Sequence, residues 1–252
     1  MKIDMDYYAH CKARLAESPL FDGLSDALID DMLGMFRRES WRRGVQLDPA
    51  IFQNRFYLLI DGRVEVMRIN PETGRSITLY LLGPGDGIDL ITLLNSQPHE
   101  VTPVALDDVS LISVPLDEAR AWLQNHPEFN RNFLPYLGEQ MRKIEDLATD
   151  LALHDTMTRL ARLILRHVKP ERAGGGGQQG RHLHLINDLH DESLARMVGS
   201  VRQVVNRHLQ HWRKQGILHK HHFQTVVTEL ESLQAYAEGT SPDGKKTSSR
   251  SA

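Results

Sequence analysis

The sequence predicts an α+β chain in which a β jelly roll is followed by a long helix and then by a winged helix-turn-helix. Three observations support this fold class. Short apolar runs between turn residues fill residues 41–114, a continuous helical pattern covers 128–153, and two amphipathic helices flank a glycine within 189–215. The predicted domains are a barrel over 18–127, the long helix over 128–154, the winged helix-turn-helix over 155–228 and a disordered tail over 239–252.

The predicted barrel begins with a short helical segment. Ser25 or Asp26 is expected to cap a helix that runs through Leu28, Leu33 and Phe36. Five apolar runs between turn signals are then expected strands: Phe56–Ile60, Val64–Ile69, Ile77–Leu82, Val101–Leu106 and Val109–Val114. Many short strands at this spacing are typical of an antiparallel sandwich or barrel.

Apolar residues recur at alternate spacings of three and four along the predicted long helix. They form one narrow stripe, which we call the α5 stripe: Leu134, Leu137, Met141, Ile144, Ala148 and Leu151. Packing on its own barrel is one explanation. A stripe of two apolar residues in seven fits a partner helix better, so the pattern predicts a homodimer with these residues at the interface.

The last domain carries the clearest functional pattern. Asp155 is a suitable N-cap for a helix over 156–168, and a strand over Leu183–Ile186 is expected after the glycine-rich residues 173–180. The helix-turn-helix follows, with two inward faces that meet at Gly199: Leu189, Leu194, Met197 and Val198 on the first helix, and Val201, Val205, Leu209 and Trp212 on the second. Ser200 and Gln203 are expected to form a capping box. Gly216–His219 and Thr225–Val227 would pair as a wing.

The remaining side chains of the second helix are rich in hydrogen-bond donors and include no carboxylate. They define its outer face: Arg202, Gln203, Asn206, Arg207 and Gln210. Such groups contact base edges and phosphates in a major groove, whereas an ordinary solvated hairpin is the alternative. The pattern favours double-stranded DNA as a partner. The predicted DNA-binding residues are Ser200, Arg202, Gln203, Asn206, Arg207 and, on the wing, Lys220.

The charge distribution supports this division. Residues 1–128 hold 20 Asp and Glu against 12 Lys and Arg, whereas residues 156–223 hold 12 Lys and Arg against 4 Asp and Glu, with nine of the 13 histidines. An acidic front and a basic back indicate that the back meets nucleic acid. No apolar run approaches the roughly 20 residues of a membrane span, and the polar N-terminus is unlike a secretion signal. A soluble cytoplasmic protein is expected.

Four segments resemble the CRP/FNR family of bacterial transcription regulators: FYLLIDGRVEV at Phe56–Val66, LLGPGD at Leu81–Asp86, IEDLATDLALHDTMTRLARLIL at Ile144–Leu165, and the helix-turn-helix. The resemblance covers about residues 18–227 and implies a cyclic-nucleotide-binding-like barrel that controls a homodimer on a palindromic operator, with RNA polymerase as a further partner. Arg202 and Arg207 fall where the family places DNA-contacting arginines. Gln203 stands where a glutamate is usual, and His190 stands at the N-cap of the first helix.

The effector site departs from the cyclic-AMP-binding members of that family. Asp89 and Leu90 replace a Gly-Glu-Leu motif, and Glu100 and Val101, after His99, replace the arginine and serine that hold the cyclic phosphate. A carboxylate there would repel a phosphate, so a standard cyclic-AMP site is not expected and the effector is left unknown. With one cysteine, a cysteine-ligated iron–sulfur cluster is not expected. A haem is an open alternative, with candidate ligands at His99, His154 and the His10-Cys11 pair.

Two other classes of function fit less well. An enzyme is not expected, because the chain has no nucleophile elbow and its Gly83–Gly87 turn lacks the lysine and helix of a phosphate-binding loop. A histidine-rich metal-binding protein is the remaining alternative. Its ligands would come from the histidines on and beside the wing: His182, His184, His219, His221 and His222.

Overall fold

A computed structural model describes residues 5–168, 181–221 and 224–240. Two compact units divide the chain, Met1–Arg75 with Leu79–Ile144 and Ser76–Thr78 with Glu145–Ala252. Within the described ranges, none of the helices combines the length and the apolar character needed to cross a bilayer. The predicted disordered tail lies outside these ranges from residue 241 onward, as does the glycine-rich stretch 173–180.

The first unit is a sandwich of two antiparallel sheets that is flanked by helices. Its helices are α1 (Met5–Ala16), α2 (Asp26–Met35), α3 (Leu90–Asn95), α4 (Leu116–Asn125) and most of α5 (Pro127–Leu153). Its strands are β1 (Arg37–Trp41), β2 (Arg55–Asp61), β3 (Val64–Ile69), most of β4 (Ser76–Leu82), β5 (Gly87–Ile88), β6 (Thr102–Ala105) and β7 (Val109–Pro115). The sheets have the orders β1-β7-β2-β5 and β4-β3-β6, which confirms the predicted barrel.

Strand β2 shows how the sequence builds the two cores of this unit. Phe56, Leu58 and Ile60 point into a core shared with α1, α2, α4 and α5. Tyr57 and Leu59 point to the opposite side, into the core between the two sheets. Because successive side chains of a strand alternate in direction, a fully apolar strand is stable only when both of its faces are covered.

Helix α1 was not predicted, and it begins the unit before the expected residue 18. Tyr7, Cys11 and Leu15 lie on one face of it and are buried in the helical core. Their spacing of four is a helical signal, but it is a short one within a polar stretch. Ser25 caps α2 by accepting from the Leu28 N–H, as predicted.

The second unit is a winged helix-turn-helix. After the end of α5, its helices are α6 (Thr156–Arg166), α7 (Asp191–Met197), α8 (Arg202–Lys214) and α9 (Leu230–Ala237). Strands β8 (Arg181–His182), β9 (Leu218–His221) and β10 (Gln224–Val227) form an antiparallel sheet of order β8-β10-β9. Asp155 caps α6 by accepting from the Thr158 N–H, as predicted.

Three predicted boundaries in this unit differ from the structure. Helix α6 stops at Arg166, two residues before the expected end. The strand expected over Leu183–Ile186 is wrong, because Leu185 has a φ of 61°, which a strand cannot accommodate, and the strand lies instead at Arg181–His182. Helix α9 extends the domain beyond residue 228, since its buried Tyr236 packs on Trp212 with ring centroids 5.5 Å apart.

Candidate nucleic-acid interface

The turn between α7 and α8 requires a glycine for two reasons. Gly199 has a φ of +59°, which favours glycine, and a Cβ there would lie 2.5 Å from the Leu151 Cδ2 atom. Leu194, Met197 and Val198 are buried on one side of this turn. The predicted tight turn is therefore confirmed, and Leu151 of the α5 stripe is half-buried against it.

Helix α8 begins one residue later than the sequence suggested. Val201 is its N-cap, without a side-chain cap hydrogen bond, whereas the Ser200 hydroxyl pairs with the Thr156 hydroxyl at 3.4 Å. The predicted capping box of Ser200 and Gln203 is therefore wrong. The place of Val201 in the inward stripe is also wrong, because this residue is 57% exposed while Val205 and the later members of that stripe are buried.

The outer face of α8 presents cations and amides to solvent. Arg202, Gln203 and Arg207 are exposed, as is Gln210 one turn further along. Within the described part of the chain, the structure gives these four side chains no hydrogen bond or ion pair. Charged donors left without a partner on a rigid helix are suited to a polyanion.

Asn206 differs from the four exposed residues of the outer face because its side chain has a partner within the domain. Its Nδ2 donates to the Asp191 Oδ2 at 2.6 Å, and its side chain is half-buried. Sequence reasoning missed this link, because Asp191 lies 15 positions earlier in the chain, on α7. His190 is the N-cap of α7, as predicted, and its side chain makes no cap hydrogen bond.

Packing behind α8 holds this helix in place. Helix α8 packs on α6 with Trp212 and Leu209 buried, and Trp212 packs on Tyr236 of α9. The Tyr236 hydroxyl donates to the Gln215 Oε1 at 3.0 Å. Burial, together with the neighbouring Arg207, lowers the pKa of His208 below its usual value. His208 is therefore neutral at pH 7 and adds no charge to the outer face.

A buried carboxylate joins the end of α5 to α6. Asp150 is within 2.7 Å of the Arg162 Nε and within 2.6 Å of an Arg166 terminal nitrogen. Asp150 itself is almost fully buried, so its charge needs both partners. Asp150 lies outside the α5 stripe, and its position along the helix gives no sign of these partners.

The α5 stripe is partly exposed in the single chain. Met141 is 65% exposed and Leu134 is 60% exposed, and Ala148 is exposed as well. Leu137 and Ile144 are half-buried, Leu137 against the helical core of the first unit. Exposed apolar side chains at heptad spacing are typical of a helix that packs on a partner.

The predicted effector residues are engaged with other side chains of the barrel. Asp89 is the N-cap of α3, its side chain is 3% exposed, and its Oδ1 lies 2.9 Å from the His99 Nδ1. Glu100 is 86% exposed and pairs with the Arg68 guanidinium at 3.1 Å. Leu90 and Val101 are buried. The negative charge expected at Glu100 is therefore matched by a cation of the same barrel.

Two of the candidate haem ligands, His10 and Cys11, have other contacts within the first unit, and the candidate metal ligands form no cluster among the described residues. His10 pairs with Asp61 at 2.7 Å, and the neighbouring Cys11 is buried in the helical core. No cluster of three or more potential metal ligands occurs among the described residues. His222 and the side chain of His221 lie outside what the structure describes.

Two family models match the chain, and together they cover more than half of it. Residues 51–126 match the cyclic nucleotide-binding domain, and residues 158–236 match the Crp-like helix-turn-helix domain. A CRP-like cAMP-activated global transcriptional regulator of Mycobacterium tuberculosis is 25% identical over 87% of this chain and 96% of its own length. The cyclic AMP receptor protein of Thermus thermophilus is 26% identical over 88% of this chain and 98% of its own length.

Solved structures agree on the fold. A CooA mutant from Carboxydothermus hydrogenoformans covers 86% of this chain and 93% of its own, with 22% identity and a TM-score of 0.67. The match to the regulator CLP of Xanthomonas campestris covers 81% of this chain and 100% of the CLP chain, with 20% identity and a TM-score of 0.66. With a barrel, a long helix and a helix-turn-helix in the same order, the chain belongs to the CRP/FNR family of transcription regulators.

Proposed function

We propose that the protein is a homodimeric regulator that binds a palindromic operator through the outer face of α8. The observation that carries this proposal is the set of exposed donors at Arg202, Gln203 and Arg207, which have no partner in the described ranges. A helix with such a face reads base edges when its N-terminal turns enter the major groove. In this proposal the protein is cytoplasmic, acts on transcription through RNA polymerase and is not an enzyme.

The predicted contact residues divide into those that contact bases and those that contact phosphates or support the turn. Arg202, in the first turn of α8, forms a bidentate contact with guanine. Gln203 pairs with adenine rather than accepting from cytosine as a glutamate would, so the preferred half-site differs from that of members with glutamate. Arg207 and Lys220 contact phosphates, and Ser200 supports the turn beside them.

The dimer follows from the α5 stripe. Two copies joined along this stripe would place two α8 helices on half-sites about 34–36 Å apart, one turn of the duplex. The 65% exposure of Met141 in the single chain supports a partner at this position.

For the barrel, we propose an effector other than cyclic AMP bound in the standard manner. Arg68 is paired with Glu100, and Asp89 presents a buried carboxylate next to His99, so the described residues of this loop offer no unpaired cation for a cyclic phosphate. Two of the three histidine candidates for haem, His99 and His10, are paired with Asp89 and Asp61, which does not favour the haem alternative.

Two measurements test this function. Selection of duplexes from a random pool by the full-length protein should yield a palindrome whose half-site centres lie one helical turn apart. Isothermal titration with cyclic AMP should show affinity more than tenfold weaker than that of a cyclic-AMP-responsive member, because a lost charge-assisted contact costs about 1.5–3 kcal/mol. Micromolar cyclic AMP binding that also tightens operator binding would contradict the proposal for the barrel.

A further inference from the structure

Val201 breaks two local rules at the start of α8. Valine is among the least favourable N-cap residues, because it has no side-chain oxygen to accept from the first turn, and the structure shows no such bond at Val201. The residue is also 57% exposed. Neither feature helps the domain to fold, and a residue that conflicts with local folding rules is expected at functional sites.

The surroundings of Val201 are polar and basic. It lines an open depression together with Arg202, Gln203 and Asn206, which belong to the proposed DNA-contacting surface. Arg202 and Gln203 are exposed beside it. An apolar group among hydrogen-bond donors and cations fits a partner that is negatively charged overall and also carries a small apolar group.

The major groove of DNA provides one such feature on base edges, the C5-methyl group of thymine. We propose that Val201 contacts a thymine methyl group next to the base pair that Arg202 contacts, and so selects thymine at that position of the half-site. This inference rests on the proposed function, and it adds an apolar specificity determinant to the hydrogen-bonding face of α8.

The test removes the methyl group without changing base pairing. Each thymine of the selected half-site is replaced in turn by deoxyuridine, and the affinity of the full-length protein is measured by fluorescence anisotropy. One position should weaken binding about fourfold, the ratio that corresponds to burial of one methyl-sized group. Val201→Ser should bind duplexes with thymine and with deoxyuridine at that position with equal affinity. Its response to deoxyuridine at the other positions should match that of the wild type.

Two controls separate this effect from misfolding. Serine is a better N-cap than valine, so Val201→Ser should unfold at the same temperature as the wild type or higher. Val45→Ser makes the same chemical change at an exposed valine of the barrel, and it should leave thymine discrimination intact.

Three outcomes would overturn the inference. A wild type that is insensitive to deoxyuridine at every position would show that Val201 faces something other than a thymine methyl group. Discrimination that survives in Val201→Ser would assign it to another residue. Failure to select any preferred sequence would overturn the proposed function together with this inference, whereas the first two results would leave that function standing.

Discussion

The loop of the barrel at residues 83–100 and the outer face of α8 use their charged and polar groups in opposite ways. In the barrel, Asp89 contacts His99, and the buried Tyr136 hydroxyl donates to the Asp86 Oδ1 at 2.8 Å. On α8, Arg202 and Arg207 are exposed and have no partner among the described residues. Groups paired inside a domain stabilise its fold, whereas unpaired groups on its surface are available to a ligand. Substitutions in the two regions should therefore change different quantities.

The largest effect is expected at the α5 stripe. Its exposed apolar residues are available to a partner chain, as the exposed cations of α8 are available to DNA. Met141→Glu should separate the dimer, because it places a charge in the apolar interface. Operator affinity should then fall by at least about a hundredfold, since each monomer binds one half-site alone. Sedimentation equilibrium and anisotropy measure the two effects.

The matched control for Met141→Glu is Leu153→Glu. Leu153 lies on the same helix and is exposed, but it is outside the stripe. The control should remain dimeric and bind the operator normally. If Met141→Glu remains a dimer, the proposal that the α5 stripe forms the dimer interface is contradicted.

The next effect concerns stability in the barrel. Among the described residues, His99→Ala leaves the buried Asp89 side chain with one long bond, from the Thr92 N–H at 3.4 Å. The free energy of unfolding should drop by about 1–3 kcal/mol, the cost of a buried polar group without its partner. Chemical denaturation measures this change. Glu100→Ala removes an exposed partner from the same loop and should not measurably change the free energy of unfolding. Equal losses of stability in both variants would contradict the claim that the buried pair stabilises the barrel more than the exposed pair.

A smaller effect is expected at the link between α7 and α8. Asp191→Ala removes the acceptor of the Asn206 amide, so the domain should lose about 1 kcal/mol of stability. The freed amide should also change the base preference at one position of the half-site. Glu192→Ala removes a neighbouring exposed carboxylate with the same change in charge and no bond to Asn206. Identical base preferences in the two variants would show that Asn206 does not reach the bases.

The parts of this molecule that the sequence predicts well are those with repeated local signals. Turn residues between apolar runs placed five of the seven strands of the barrel, β1 and β5 being missed, and Asp155 with the apolar period after it placed α6. Val201 was misplaced because its spacing of four from Val205 is the same for an inward residue and for an N-cap. Only the path of the backbone before the first turn distinguishes the two.

The contacts that the sequence could not predict depend on chain folding. Asp89 meets His99 after ten residues, Asp191 meets Asn206 after 15, and Asp150 meets Arg166 after 16. These separations match no helical or strand period within a single element. Each pair forms only because packing of apolar neighbours brings two elements together, and so a charge that looks solvated in the sequence becomes a structural partner.

The most direct test of the central claim compares Arg202→Ala with the wild type on two duplexes, the selected operator and a random sequence of the same length, at one salt concentration. The account predicts that operator binding weakens by about 1–3 kcal/mol and that preference relaxes at one base pair. Random DNA should be bound nearly as before, and the free energy of unfolding should be unchanged. Equal losses on both duplexes would show that Arg202 contacts phosphate only, and would contradict the claim that the outer face of α8 reads sequence.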